Sequence, residues 1–97
     1  MKLIIETRAE RDLDGLVDWL SELSPRAAER MLEMFFAAVD RLLDFPASAP
    51  EVGGGKRELT VSFGRDGFVV RYSVDDDTIY VERVYHCLLY TSPSPRD

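Results

Sequence analysis

Cysteine and histidine are nearly absent from this chain. One Cys87 and one His86 occur in 97 residues. A lone cysteine cannot close an internal disulfide, and one cysteine with one histidine makes no recognisable zinc site, so no metal or other cofactor is expected. Long apolar runs are absent too: nothing approaches the roughly 20 residues that span a bilayer, so no membrane partner is expected. The N-terminal MKLIIETRAERD holds three apolar residues between Lys2 and Glu6, too short a stretch for a signal peptide. The cytoplasm is therefore the expected compartment. A surplus of basic charge is also missing. The formal net charge is −6; residues 1–45 carry six basic and ten acidic side chains, and residues 46–86 carry five and seven. Strong non-specific nucleic-acid binding needs clustered Lys and Arg to neutralise phosphates, and this balance weighs against it.

What is present is an ordinary globular mixture, 45% hydrophobic and 31% charged. A chain of this size makes one domain and buries roughly two-thirds of the surface its unfolded form exposes, enough for one two-layer core.

The patterning divides the chain cleanly. KLIIE, residues 2–6, reads as a short strand. Thr7-Arg8-Ala9-Glu10 reads as a capping box opening a helix. That helix carries Ala9, Leu13, Leu16, Val17, Leu20 and Leu23 on one stripe, with Arg8, Arg11, Asp12, Asp14, Asp18 and Glu22 opposite. Ser24 suits the N-cap of a second helix and Pro25 its first turn, where no amide is needed. Ala28, Met31, Leu32, Phe35, Val39 and Leu42 form its stripe, and Phe45-Pro46 ends it near Asp44. Residues 46–56, PASAPEVGGGK, read as a loop. RELTVSF, GFVVRYSV and TIYVERVYH then read as strands, with GRDG and DDD as hairpin turns. The expected class is α+β in the order β-α-α-β-β-β, an antiparallel helical hairpin packed on one face of a mostly antiparallel sheet.

This order and these motifs resemble the RelE/ParE superfamily of bacterial type II toxins. TRAERDLDGLVDWLSE is similar to the first helix of that family. Pro25, Ala27-Ala28 and the closing Leu42-Leu43-Asp44-Phe45-Pro46 are similar to a ParE-type second helix. KRELTVSF with GFVVRYSVDDDTIYV is similar to the family's central strands, and ERVYH to the last strand of ParE-like members. The resemblance covers residues 2–86. It implies a toxin neutralised by a cognate antitoxin. RelE-type members cut mRNA on the ribosome with basic residues that polarise the scissile phosphate; ParE-type members bind DNA gyrase. Lys56, Arg57, Arg65, Arg71 and Arg83 are the sheet's cations. Val69 stands near where an RNase-type member places an arginine, and Glu58 interrupts the preceding strand. Those departures and the acidic balance favour the gyrase-binding, non-enzymatic branch. The mRNA endoribonuclease is the alternative, and a degenerate member without toxicity is a third reading.

Four residues are candidates for target or partner contact, and none is assigned a catalytic role. Arg57 is a target-binding or a structural arginine at a strand start. Arg71, opposite Phe68, Val70 and Tyr72, is expected to pair with Glu82 on the neighbouring strand. Arg83, expected on the face of Val81, is the leading functional arginine. His86 is a proton carrier or a strand-end histidine. The acids at 75–77 are expected to be solvated, and GGGK lacks the spacing of a phosphate loop.

Residues 87–97, CLLYTSPSPRD, break this pattern. They resemble the in-frame translation of a sequencing-library adapter, so the toxin-like domain is expected over 1–86 with its natural C-terminal end missing. A segment with no apolar face to bury is expected to stay unstructured. Limited proteolysis should trim the chain to about His86; strong amide protection within residues 88–97 would contradict this reading.

Overall fold

The computed structural model describes residues 1–63 and 66–87. Its elements are β1 (Lys2–Ile5), α1 (Thr7–Leu23), α2 (Pro25–Asp44), β2 (Glu51–Gly53), β3 (Lys56–Phe63), β4 (Asp66–Asp75) and β5 (Thr78–Cys87). The five strands form one sheet in the order β1-β5-β4-β3-β2. β1 runs parallel to β5, and every other pairing is antiparallel. The helical hairpin covers one face, so the α+β arrangement expected from the pattern is the one adopted.

The hairpin turns on a single residue. The Ser24 amide donates to the Leu20 carbonyl at 2.7 Å and closes α1. The Ser24 hydroxyl accepts from the Ala27 amide at 3.3 Å and opens α2, with Pro25 in its first turn. At the other end of α1 the Thr7 capping box does not form. Glu6 occupies the N-cap position without a side-chain bond, and its amide donates to the Val81 carbonyl at 2.9 Å. That tie to β5 starts the helix one residue early and moves Thr7 inside it.

The core lies between the hairpin and β3 to β5. Phe35, Val70, Tyr72, Ile79, Val81 and Leu42 are fully enclosed, with Phe68 against Phe35. The periodicity predicted these faces well: Leu13, Leu16 and Val17 pack against the core, while Leu23, the last residue of α1, is exposed. The Tyr72 hydroxyl donates to the Pro46 carbonyl at 2.7 Å, and burial pushes its phenol pKa up.

Three further details differ from the sequence reading. The 46–56 loop contains the strand β2, paired with β3 and followed by Gly54 and Gly55 at φ 61 and 75. Its three exposed residues carry no apolar alternation to read; the glycines provide the left-handed turn that folds it back. The expected GRDG turn is also narrower, because Asp66 and Gly67 belong to β4; residues 64 and 65 lie outside the described residues. β5 reaches Cys87, one residue past the expected domain boundary, and the rest of the adapter-like segment lies outside the described residues. Among the described residues no helix is long and apolar enough to cross a membrane.

Neighbouring phenylalanines test the packing. Phe35 is 0% exposed and Phe36 is 53% exposed. In urea denaturation, Phe35→Ala should cost about 3–5 kcal/mol. Phe36→Ala, losing only its edge contact with Phe35, should cost below about 1.5 kcal/mol.

Candidate functional site

The sheet face away from the helices collects the polar chemistry. A break in β5 decides its layout. From Thr78 to Val81 the strand keeps regular register with β4, pairing Tyr72 with Val81. The next β4 residue, Arg71, pairs with Arg83, so Glu82 is an extra residue in the ladder. Such a bulge shifts the side-chain alternation by one. Val84 therefore takes the core position that strict alternation would have given to Arg83. Arg83 does not share the face of Val81, contrary to the expectation from the pattern, because of this inserted residue.

Arg83 and Arg71 instead meet around Tyr85. Their guanidinium carbons lie 5.0 and 5.4 Å from the Tyr85 ring centre, a double cation–π arrangement. Each arginine also holds a carboxylate. Arg71 donates through Nε and Nη2 to Glu58 Oε2, at 2.9 and 2.6 Å. Arg83 donates through Nε to Asp12 Oδ2 at 2.7 Å and through Nη2 to Oδ1 at 3.2 Å. Both arginines have their pKa raised, first by these hydrogen bonds.

The expected partnership of Arg71 with Glu82 is not the one formed. Glu58 stands directly opposite Arg71 on β3. The bulge turns Glu82 toward the next row, where it accepts from Lys56 Nζ at 2.5 Å and the Ser73 hydroxyl at 2.9 Å. Burial alone would push the Glu82 carboxyl up, but the Lys56 and Ser73 hydrogen bonds, with the fields of Lys56 and Arg71, hold it below the usual range.

The other two candidates lie on the helix side. Arg57 pairs in register with the enclosed Tyr72, and its Nη1 donates to the Ala49 carbonyl at 2.6 Å and the Ala47 carbonyl at 3.4 Å. It thus grips the loop after α2. His86 stands opposite Phe68, its ring centre 4.7 Å from that of Trp19 on α1. The structure therefore brings Arg71 and Arg83 together and leaves Arg57 and His86 elsewhere. Arg65 lies outside the described residues. Asp12 and Tyr85 were missed in the sequence: Asp12 sits among the polar residues of an amphipathic helix, and nothing local marks it as the partner of residues 71 positions later. Among the described residues no cluster of ligating side chains suits a metal ion.

Comparison with known proteins fits this architecture. Residues 3–87 match the family model described as the ParE toxin of type II toxin–antitoxin systems, parDE. The chain belongs to that toxin family. It is 36% identical over 86 residues to Toxin RelE1 of Caulobacter vibrioides, covering 89% of this chain and 92% of that one. Toxin RelE3 of the same organism is 35% identical over 81 residues, covering 84% and 88%. A solved chain of the chromosomal ParDE system from P. aeruginosa superposes with a TM-score of 0.72 at 24% identity, over 90% of this chain and 96% of that chain, a likeness of fold. The type II toxin assignment rests on the family model and the sequence relatives, and the solved chain matches the fold.

The Asp12 bonds have a pH signature. Burial pushes this carboxyl up, yet the Arg83 hydrogen bonds, the Val84 amide and the fields of Arg83 and Arg8 outweigh it, and the net shift is downward. A carboxyl whose folded pKa is depressed contributes stability above its unfolded value, about 3.9, and loses it as pH falls through the lower folded value. Asp12→Ala should cost about 1–3 kcal/mol at pH 7. Its stability should also fall less steeply than the parent's between about pH 4 and 2, measured by urea midpoints at each pH.

Proposed function

We propose that this family member is a toxin that arrests DNA gyrase through protein contacts, does so without catalysis, and is neutralised by a cognate antitoxin. One observation carries the gyrase reading: among the described residues, the cations on the open face are engaged rather than converging on an empty position. Lys56, Arg71 and Arg83 each hold a carboxylate. Cleaving an RNA phosphodiester gathers negative charge on one phosphate, and preorganised cations must be aimed there. A face of neutralised pairs interleaved with Tyr80, Tyr85, Val69 and Thr60 suits a protein surface better than a phosphate. The acidic net charge of −6 supports the same choice.

A specific observation favours the alternative. Arg71, Tyr85 and Arg83 form one group, and a phenol between two guanidiniums is a reasonable proton donor or acceptor for ribosome-dependent mRNA cleavage. The relatives named RelE1 and RelE3 keep that reading in view.

The two readings separate in a paired assay on purified protein. Stoichiometric loss of gyrase supercoiling, with ribosome-bound mRNA left intact, is the expected result. Codon-specific cleavage of that mRNA, abolished by Tyr85→Phe or Arg83→Ala, would sink the gyrase mechanism. Normal growth after induction without antitoxin would point to a member that keeps the fold and has lost toxicity.

A further inference from the structure

The first strand ends the sheet on one side. β1 covers β5 as far as Val81, and its own outer edge is left open. The Lys2 amide donates to the Asp77 carbonyl at 2.7 Å and the Glu6 amide to the Val81 carbonyl at 2.9 Å. Residues 2, 4 and 6 therefore turn their backbone groups toward β5. Those of Leu3 and Ile5 point the other way, because backbone groups alternate along a strand. Among the described residues no strand pairs with them there.

The side chains of this edge are ordered as well. Leu3 and Ile5 are half-buried against the core on the helix side. Lys2, Ile4 and Glu6 are exposed on the opposite face, with Ile4 beside Tyr80 in register and 45% exposed. Glu6 keeps extended backbone, at φ −70 and ψ 156, so the alternation runs through it. An open edge is a template for another strand, and an edge lysine usually blunts it. Here the opposite charge stands at the other end of the same edge, with three apolar residues between them: Lys2-Leu3-Ile4-Ile5-Glu6.

That order is self-complementary in one geometry. Set antiparallel to a second copy about a twofold axis at Ile4, Lys2 faces Glu6 of the other copy, and Glu6 faces its Lys2. Leu3 falls opposite Ile5, the two residues whose backbone groups point outward, so each of the two such pairs exchanges an N–H and a carbonyl. Ile4 meets Ile4, and the apolar row Tyr80-Ile4 continues across the junction. We propose that β1 is a homodimer edge: two copies of this chain join through antiparallel pairing of residues 2–6 into one continuous sheet. The contact is isologous and closes at two copies, whereas a parallel approach would put Lys2 on Lys2. The proposal is independent of which target the toxin arrests.

The test follows self-association of the purified full chain by sedimentation equilibrium, with amide exchange at several protein concentrations. A dimer should form, and the Leu3 and Ile5 amides should exchange more slowly as concentration rises. Lys2→Glu makes both symmetry-related pairs repulsive and should raise the dissociation constant roughly tenfold or more. Glu6→Lys should do the same. An equimolar mixture of these two variants should associate again, since every pair in the mixed dimer is once more of opposite charge. Ile4→Lys sets like charges on the axis and should abolish the dimer. All three side chains are exposed, so urea midpoints check that the variants stay folded. A chain that remains monomeric at millimolar concentration would overturn the proposal. So would a dimer with unchanged exchange at Leu3 and Ile5, or one that both charge variants form as readily as the parent. Weakening by each variant without recovery in the mixture would overturn the twofold register.

Discussion

Asp12 gathers three donors at once: Nε and Nη2 of Arg83 and the backbone amide of Val84. Much of the molecule's organisation passes through that carboxylate. It ties α1 to β5 where β1 no longer covers the strand. It satisfies an edge amide that would otherwise face solvent or another chain. It also draws the Arg83 side chain around the edge, so that the guanidinium lies against Tyr85 and opposite Arg71. Two guanidiniums on one ring would repel without their carboxylates, and Asp12 and Glu58 supply the compensating charge.

The bulge at Glu82 makes this geometry possible. A regular β5 would direct Arg83 into the apolar layer beneath α1, where an unpaired cation is costly. The inserted residue lets Val81 and Val84 both face the core while Glu82 and Arg83 reach outward. The same shift assigns partners across the sheet: Glu82 to Lys56 and Ser73, Arg71 to Glu58. The result is a face of short-range ion pairs.

The sheet's ends carry a second asymmetry. β5 is flanked by a parallel strand and then by α1. β3 is covered for two residues by β2 and then left beside an apolar groove. Both conditions follow from the position of the helical hairpin: α1 lies over β5, and α2 over β3 with its small Ala37 and Ala38 side chains toward the gap.

The amino-acid pattern by itself determined the order of every element except β2, the two helix stripes, the Ser24-Pro25 junction and the alternation of β3 and β4, because each depends on residues within a few positions of one another. It also carried the family, through motifs whose order survives in one dimension. Tertiary structure alone decided the rest. β2 has no buried face to announce it and exists through pairing with β3. The Thr7 cap gave way because Glu6 is bound to Val81, 75 residues distant in the chain. The side on which Arg83 emerges depends on one inserted residue, invisible until β4 sets the register. The partnership of Asp12 with Arg83 joins a helix to a strand across nearly the whole chain, and no local spacing encodes such a contact; only the packing of α1 against the uncovered length of β5 brings the two charges together.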